Sequence, residues 1–280
     1  MILATTVVRG AEKDTSHGGL YLIDPSSGSS TQIIDWADKD FDFKGRGGDR
    51  GLRGVVHHDG AIYAAAADRI LKIVDGSIIE TITHPLMGLL HDMTITSTGL
   101  AVVSTRVDCI LHYDWNDGFN AVLYLNPDGK VENVDPSATL PEDNVWHLNS
   151  VGFHGGIYFS GLRTTRIYCS RENGFGFISP LPRGTHNTRL TRHGLVYCDT
   201  NNETLFVFGK SYSLPRSILP YSSSIAKSRF IRGIVIDDDI IYVGSSPSQI
   251  IPFYANKGRW GTPIVLSDDF HNSIQSLFQA

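Results

Sequence analysis

Short runs of alternating apolar and polar residues, bounded by Gly, Asp, Asn or Pro, follow one another along the chain, and almost no segment carries an extended apolar period of 3.6. That pattern predicts an all-β protein. One phrase returns: Arg53-Gly54-Val55-Val56 with Ile62-Tyr63-Ala64, His91-Asp92-Met93 with Leu100-Ala101-Val102, Asn149-Ser150-Val151 with Ile157-Tyr158-Phe159, His186-Asn187-Thr188 with Leu195-Val196-Tyr197, and Arg232-Gly233-Ile234 with Ile241-Tyr242-Val243. Each time the second run opens eight residues after the Gly, Asp or Asn of the first, the mark of one repeated supersecondary unit. Third and fourth runs follow, such as Arg69–Val74 and Ile78–Ile82, and four antiparallel strands per repeat make a propeller blade.

A sixth unit is split between the chain ends. His271-Asn272-Ser273-Ile274 begins the phrase, and counting on from Ala280 to Met1 places Leu3-Ala4-Thr5-Thr6 where Val103-Ser104-Thr105-Arg106 falls in the second unit. The expected architecture is therefore a six-bladed β-propeller over residues 1–280, its last blade closed by the N- and C-terminal strands, which removes open edges. Two polar insertions, Asp35–Leu52 and Asn126–Trp146, lead into innermost strands and are candidate lids over one face.

In register, equivalent positions form rings around the axis. One ring reads Gly54, Asp92, Asn149, Asn187, Gly233, Asn272; the ring before it reads Arg53, His91, Leu148, His186, Arg232, His271. His91, His186 and His271 fall on alternate blades, and three imidazoles converging from three directions suit a divalent metal such as Zn, Fe or Mn with positions open for substrate. Oxygen atoms of Asp92, Asn149, Asn187 and Asn272 offer Ca²⁺ an alternative. Arg53 and Arg232 suit an anionic group, Asn149, Asn187 and Asn272 would complete the substrate contacts, and His147 or Asp92 would move protons.

Composition narrows the classes. A net charge of −5 and a pI near 6.1 give no attraction to nucleic acid or anionic lipid, so the expected partner is a small anionic molecule and the expected state a monomer or small homo-oligomer. Cys109, Cys169 and Cys198 are odd in number and lack C-x-x-C spacing, which reads as buried thiols in a reducing, cytoplasmic setting. No apolar run reaches the ~20 residues of a membrane helix, and no serine-hydrolase elbow, P-loop or H-E-x-x-H motif is present.

The segments His91-Asp92-Met93, Ser104-Thr105-Arg106-Val107-Asp108-Cys109, Trp146-His147-Leu148-Asn149-Ser150, Thr185-His186-Asn187 and Arg232-Gly233-Ile234 resemble, in the same order, those of an uncharacterised bacterial β-propeller family over roughly residues 50–250. That resemblance implies the fold and the channel ring. A looser likeness is to six-bladed Ca²⁺-dependent lactonases of the gluconolactonase and paraoxonase kind, which implies lactone hydrolysis with Asp92, Asn149, Asn187 and Asn272 around the ion; the Pro-Asn-Gly wording of that family is missing here. The leading expectation is a metal-dependent hydrolase, lyase or oxygenase. The rival is a non-catalytic propeller binding a protein or glycan through an aromatic patch that includes Trp36, Trp115, Trp146 or Trp260.

Overall fold

The computed structural model describes residues 1–39, 51–171, 174–218 and 229–280. β-Branched and aromatic residues at period two form strands, and Asp-Gly and related turns close them. Six antiparallel sheets result, each with consecutive strands as neighbours except in the last, which joins the two chain ends, and in the fifth, where Ile264–Val265 pairs with Gln249–Tyr254. Blade one is Val55–His58, Ala61–Ala65, Arg69–Val74 and Ser77–Thr83. Blade two starts at Leu90–Ile95 and Gly99–Ser104, blade three at Leu148–Phe153 and Ile157–Gly161, blade four at Thr185–Thr191 and Gly194–Asp199, and blade five at Ile234–Asp237 and Ile240–Gly244.

Blade six is composite, as the repeat requires: the C-terminal strand Asn272–Gln279 pairs with Ile2–Val8, which leads to Gly18–Asp24 and Ser29–Trp36. The apolar core is divided among the seams. Val56, Tyr63 and Ile70 of blade one pack on Met93, Val102 and Leu111 of blade two, and the corresponding clusters join each later pair round to Leu3, Leu20, Val55 and Leu71 at the seam between blades six and one. Sheet faces that would be half exposed in isolation are covered by their neighbours.

The insertion Asn126–Trp146 is not wholly loop: Val131–Val134 adds a fifth strand to blade two. Residues 40–50, the centre of the first expected lid, lie outside the described residues. Among the described residues no helix is long and apolar enough to cross a membrane.

Candidate functional site: the axial mouth

Innermost strands place their first residues around one end of the channel, and backbone pairing fixes which are equivalent. In blade two Leu90 pairs with Ser104 and Met93 with Val102, leaving His91 and Asp92 in a bulge. In blade six Ile274 pairs with Thr6 and Leu277 with Ala4, so Gln275 and Ser276 stand where His91 and Asp92 stand. In blade three the Arg163 N–H meets the Trp146 carbonyl at 3.1 Å, as the Arg106 N–H meets Gly88 at 3.0 Å in blade two, which makes Asn149 the counterpart of His91. The ring therefore reads Arg53, His91, Asn149, His186, Arg232, Gln275.

This corrects two blades of the sequence register. The hairpin of blade three, Phe153 to Ile157, is one residue shorter than that of blade two, Ile95 to Leu100, so equal counting shifts Leu148 into the ring and Asn149 out of it. At the chain ends Ala280 N–H bonds the Met1 carbonyl, as Thr96 N–H bonds Gly99, so the turn residues between them have no counterpart and counting straight through misplaces His271 and Asn272. His271 precedes the strand, is about half exposed and bonds Asp269 at 3.0 Å; the structure does not bring it into the ring with His91 and His186. Asn272 instead accepts from the Ser248 hydroxyl at 2.8 Å.

The two remaining histidines are held alike. His91 Nδ1 lies 2.9 Å from the Leu89 carbonyl and 2.8 Å from Thr105 Oγ1, whose hydroxyl donates to the Leu148 carbonyl. His186 Nδ1 lies 3.1 Å from the Gly184 carbonyl and 2.9 Å from Thr200 Oγ1, whose hydroxyl donates to Ile231. Both Nδ1 atoms face oxygens that can only accept, so Nδ1 carries the proton and Nε2 offers a lone pair; the tautomer is assigned from this network. Each Nε2 then accepts from a guanidinium of a neighbouring blade: Arg53 Nη1 at 2.8 Å from His91, Arg232 Nη2 at 3.3 Å from His186. Arg232 also donates through Nη1 to Gln275 Oε1 and lies with its Cζ 4.3 Å from the Phe230 ring centre.

Burial and the adjacent arginines hold both imidazoles well below their ordinary pKa: burial first, then Arg53 for His91 and Arg232 for His186. His147 sits between them. Its ring lies 5.2 Å from that of His91, its charge also bears on His186, and its Nδ1 is 3.1 Å from Asn144 Oδ1. Arg9, bearing electrostatically on His186, completes the rim.

The other expected residues are structural links in this arrangement. Asp92 is buried and receives Arg189 of blade four at 3.0 Å, with N–H groups of Val151 and Met93 at 3.2 and 3.1 Å. Asn149 donates to the Thr185 carbonyl at 3.0 Å while its own buried Oδ1 meets no partner among the described residues. Asn187 accepts from the Gly233 N–H at 2.7 Å. Among the described residues no group of three or more His, Cys, Asp or Glu side chains is gathered to hold a metal ion. None of the four tryptophans is among the exposed large apolar side chains, and Trp115 stacks on His58 with ring centres 4.6 Å apart.

Sequence reasoning missed Gln275, Phe230, Arg9 and Arg189. It also passed over a usable signal: Thr105 and Thr200 each follow their histidine by fourteen residues and orient it.

Fold and mouth together define a six-bladed propeller with a cationic, imidazole-lined axial site. No protein-family model and no curated protein matches the sequence. Among solved structures the chain resembles one from the crystal structure of a nidogen/laminin complex, with a TM-score of 0.59 and 8% identity over 99% of this chain and 98% of that one, a likeness of fold alone. It also matches a catalytically inactive virginiamycin B lyase from Staphylococcus aureus with quinupristin, with a TM-score of 0.47 and 17% identity over 79% of this chain and 72% of that one.

Proposed function

We propose that the protein is an enzyme that binds a small anionic substrate at the axial mouth through Arg53 and Arg232 and transfers a proton with a neutral imidazole. The carrying observation is the pair of guanidinium–imidazole contacts, Arg53 with His91 and Arg232 with His186. An anion that engages the guanidinium offsets the positive charge that depresses the neighbouring histidine, so substrate binding restores basicity to Nε2 where it is needed. His147, more accessible than His186, is the group placed to exchange the proton with solvent. Proton abstraction or donation of this kind serves lyase and hydrolase chemistry alike. Titration calorimetry with succinate and inorganic phosphate tests the reading: at least one anion binds the wild type, and the Arg53→Gln, Arg232→Gln double variant loses tenfold or more, about 1.4 kcal/mol. A wild type that binds neither anion refutes it.

A second reading keeps a divalent metal (Zn, Fe or Mn, with Ca²⁺ the alternative) at the same mouth, and the approach of the His91 and His147 rings, with centres 5.2 Å apart, favours it. It requires the Nε2 lone pairs now facing arginine to turn to the ion, with His147 in the place expected of His271. Elemental analysis separates the readings: near-stoichiometric metal that disappears in a His91→Ala, His186→Ala variant supports the metal.

A further inference from the structure

Below the mouth an ion pair crosses the channel. Arg189 of blade four reaches Asp92 of blade two, 97 residues away in sequence, with Nη1 3.0 Å from Oδ2 and Nη2 3.3 Å from Oδ1. Beyond that bar, on the opposite face, lies a separate cavity of about 250 Å³ that Arg189 itself lines together with Val55, Met93, Ile234, Ile236 and Leu277. Its volume falls just under the ~300–1,000 Å³ of drug-sized pockets, which fits a compact ligand.

The floor of this cavity is chemically specific. Guanidinium carries five N–H donors in a fixed fork. Asp92 takes the end formed by Nη1 and Nη2, and the Val151 and Thr188 carbonyls, at 3.3 and 3.0 Å, take what remains of Nη1. Nε–H and the second Nη2–H, which form the lateral edge, meet no acceptor among the described residues, and the side chain is one-fifth exposed. Two parallel donors on one edge match the two oxygens of a carboxylate. Asp92 opposes a second anion less than its distance suggests, because the Val151 and Met93 N–H groups share its charge.

We propose that this lower vestibule is a second binding site, independent of the axial mouth, for a short aliphatic monocarboxylate, whose carboxylate takes the lateral edge of Arg189 and whose chain lies on the Val55, Met93, Ile234 and Leu277 walls. The apolar walls remove the covered side of the chain from water at roughly 25 cal/mol per Å² of apolar surface, and the fork fixes the head.

The test is titration calorimetry on the intact protein with hexanoate, 1-hexanol and inorganic phosphate. Hexanoate binds the wild type at least tenfold more tightly than 1-hexanol. Ile236→Trp, which fills the vestibule at a partly exposed position and whose fold is checked by thermal unfolding, abolishes hexanoate binding and leaves phosphate binding at the wild-type level. The Arg53→Gln, Arg232→Gln variant keeps its hexanoate affinity within twofold, which places that ligand away from the mouth. Absent hexanoate binding, equal affinity for hexanol, or hexanoate binding that survives Ile236→Trp overturns the proposal.

Discussion

The two ends of the channel are built from the same six strands and differ completely in chemistry. At the mouth, the first residues of the inner strands are Arg53, His91, Asn149, His186, Arg232 and Gln275, linked blade to blade by side-chain hydrogen bonds. At the far end, residues a few positions later are Val55, Met93, Ile234 and Leu277, with Arg189 the one charged side chain among neutral polar Thr94, Thr191 and Gln279. A strand that opens polar and continues apolar gives a ring its chemistry at one rim and its cohesion at the other. The Asp92–Arg189 pair marks the border between the two.

The largest effect should come from breaking that border. Asp92→Ala leaves Arg189 without its carboxylate and should cost about 3–5 kcal/mol in a denaturant melt, whereas the Asp92→Leu, Arg189→Leu double variant should recover most of the loss because a buried pair is often replaceable by apolar groups. Next comes the mouth alone: the Arg232→Gln variant should raise the pKa of His186, whose depression owes more to that guanidinium than to anything but burial, visibly in an NMR titration of the ring protons.

Acidity sharpens the contrast further. His91 and His186 bind protons in the folded state only well below the ordinary value near 6.5, so as pH falls through that value the unfolded chain takes up protons first and stability declines. The contribution is fully present above the unfolded pKa, and the melting temperature should fall between pH 7.5 and 5; a His186→Gln variant should show a shallower slope. The smallest change is expected at Asn149→Ala. It gives up one hydrogen bond to Thr185 but also removes a buried carbonyl oxygen that has no partner, a net of about 1 kcal/mol or less by thermal melting.

The blade count and the composite closure were legible because the phrase recurs at constant spacing, and four of the six mouth positions, Arg53, His91, His186 and Arg232, followed from it. Asn149 and Gln275 did not. A hairpin one residue shorter, and a turn cut open by the chain ends, are invisible to counting, yet each slides one strand against its partner. The crossing from Asp92 to Arg189 was illegible for a different reason: it joins blades two apart through the axis, and neither neighbour spacing nor alternation records which side chains meet there.

The two arginines of the mouth do not stand alone. Each is followed by a glycine pressed against the next blade: a Cβ on Gly54 would come within 2.9 Å of the Met93 backbone nitrogen, and one on Gly233, at φ +81°, within 3.2 Å of that of Leu277. Arginine and glycine thus form one steric unit on each of these two blades. Any lineage, or any engineer, shifting the cationic pattern around the ring must carry the dipeptide and a neighbour shaped to receive it, so the mouth can be rewritten only two letters at a time.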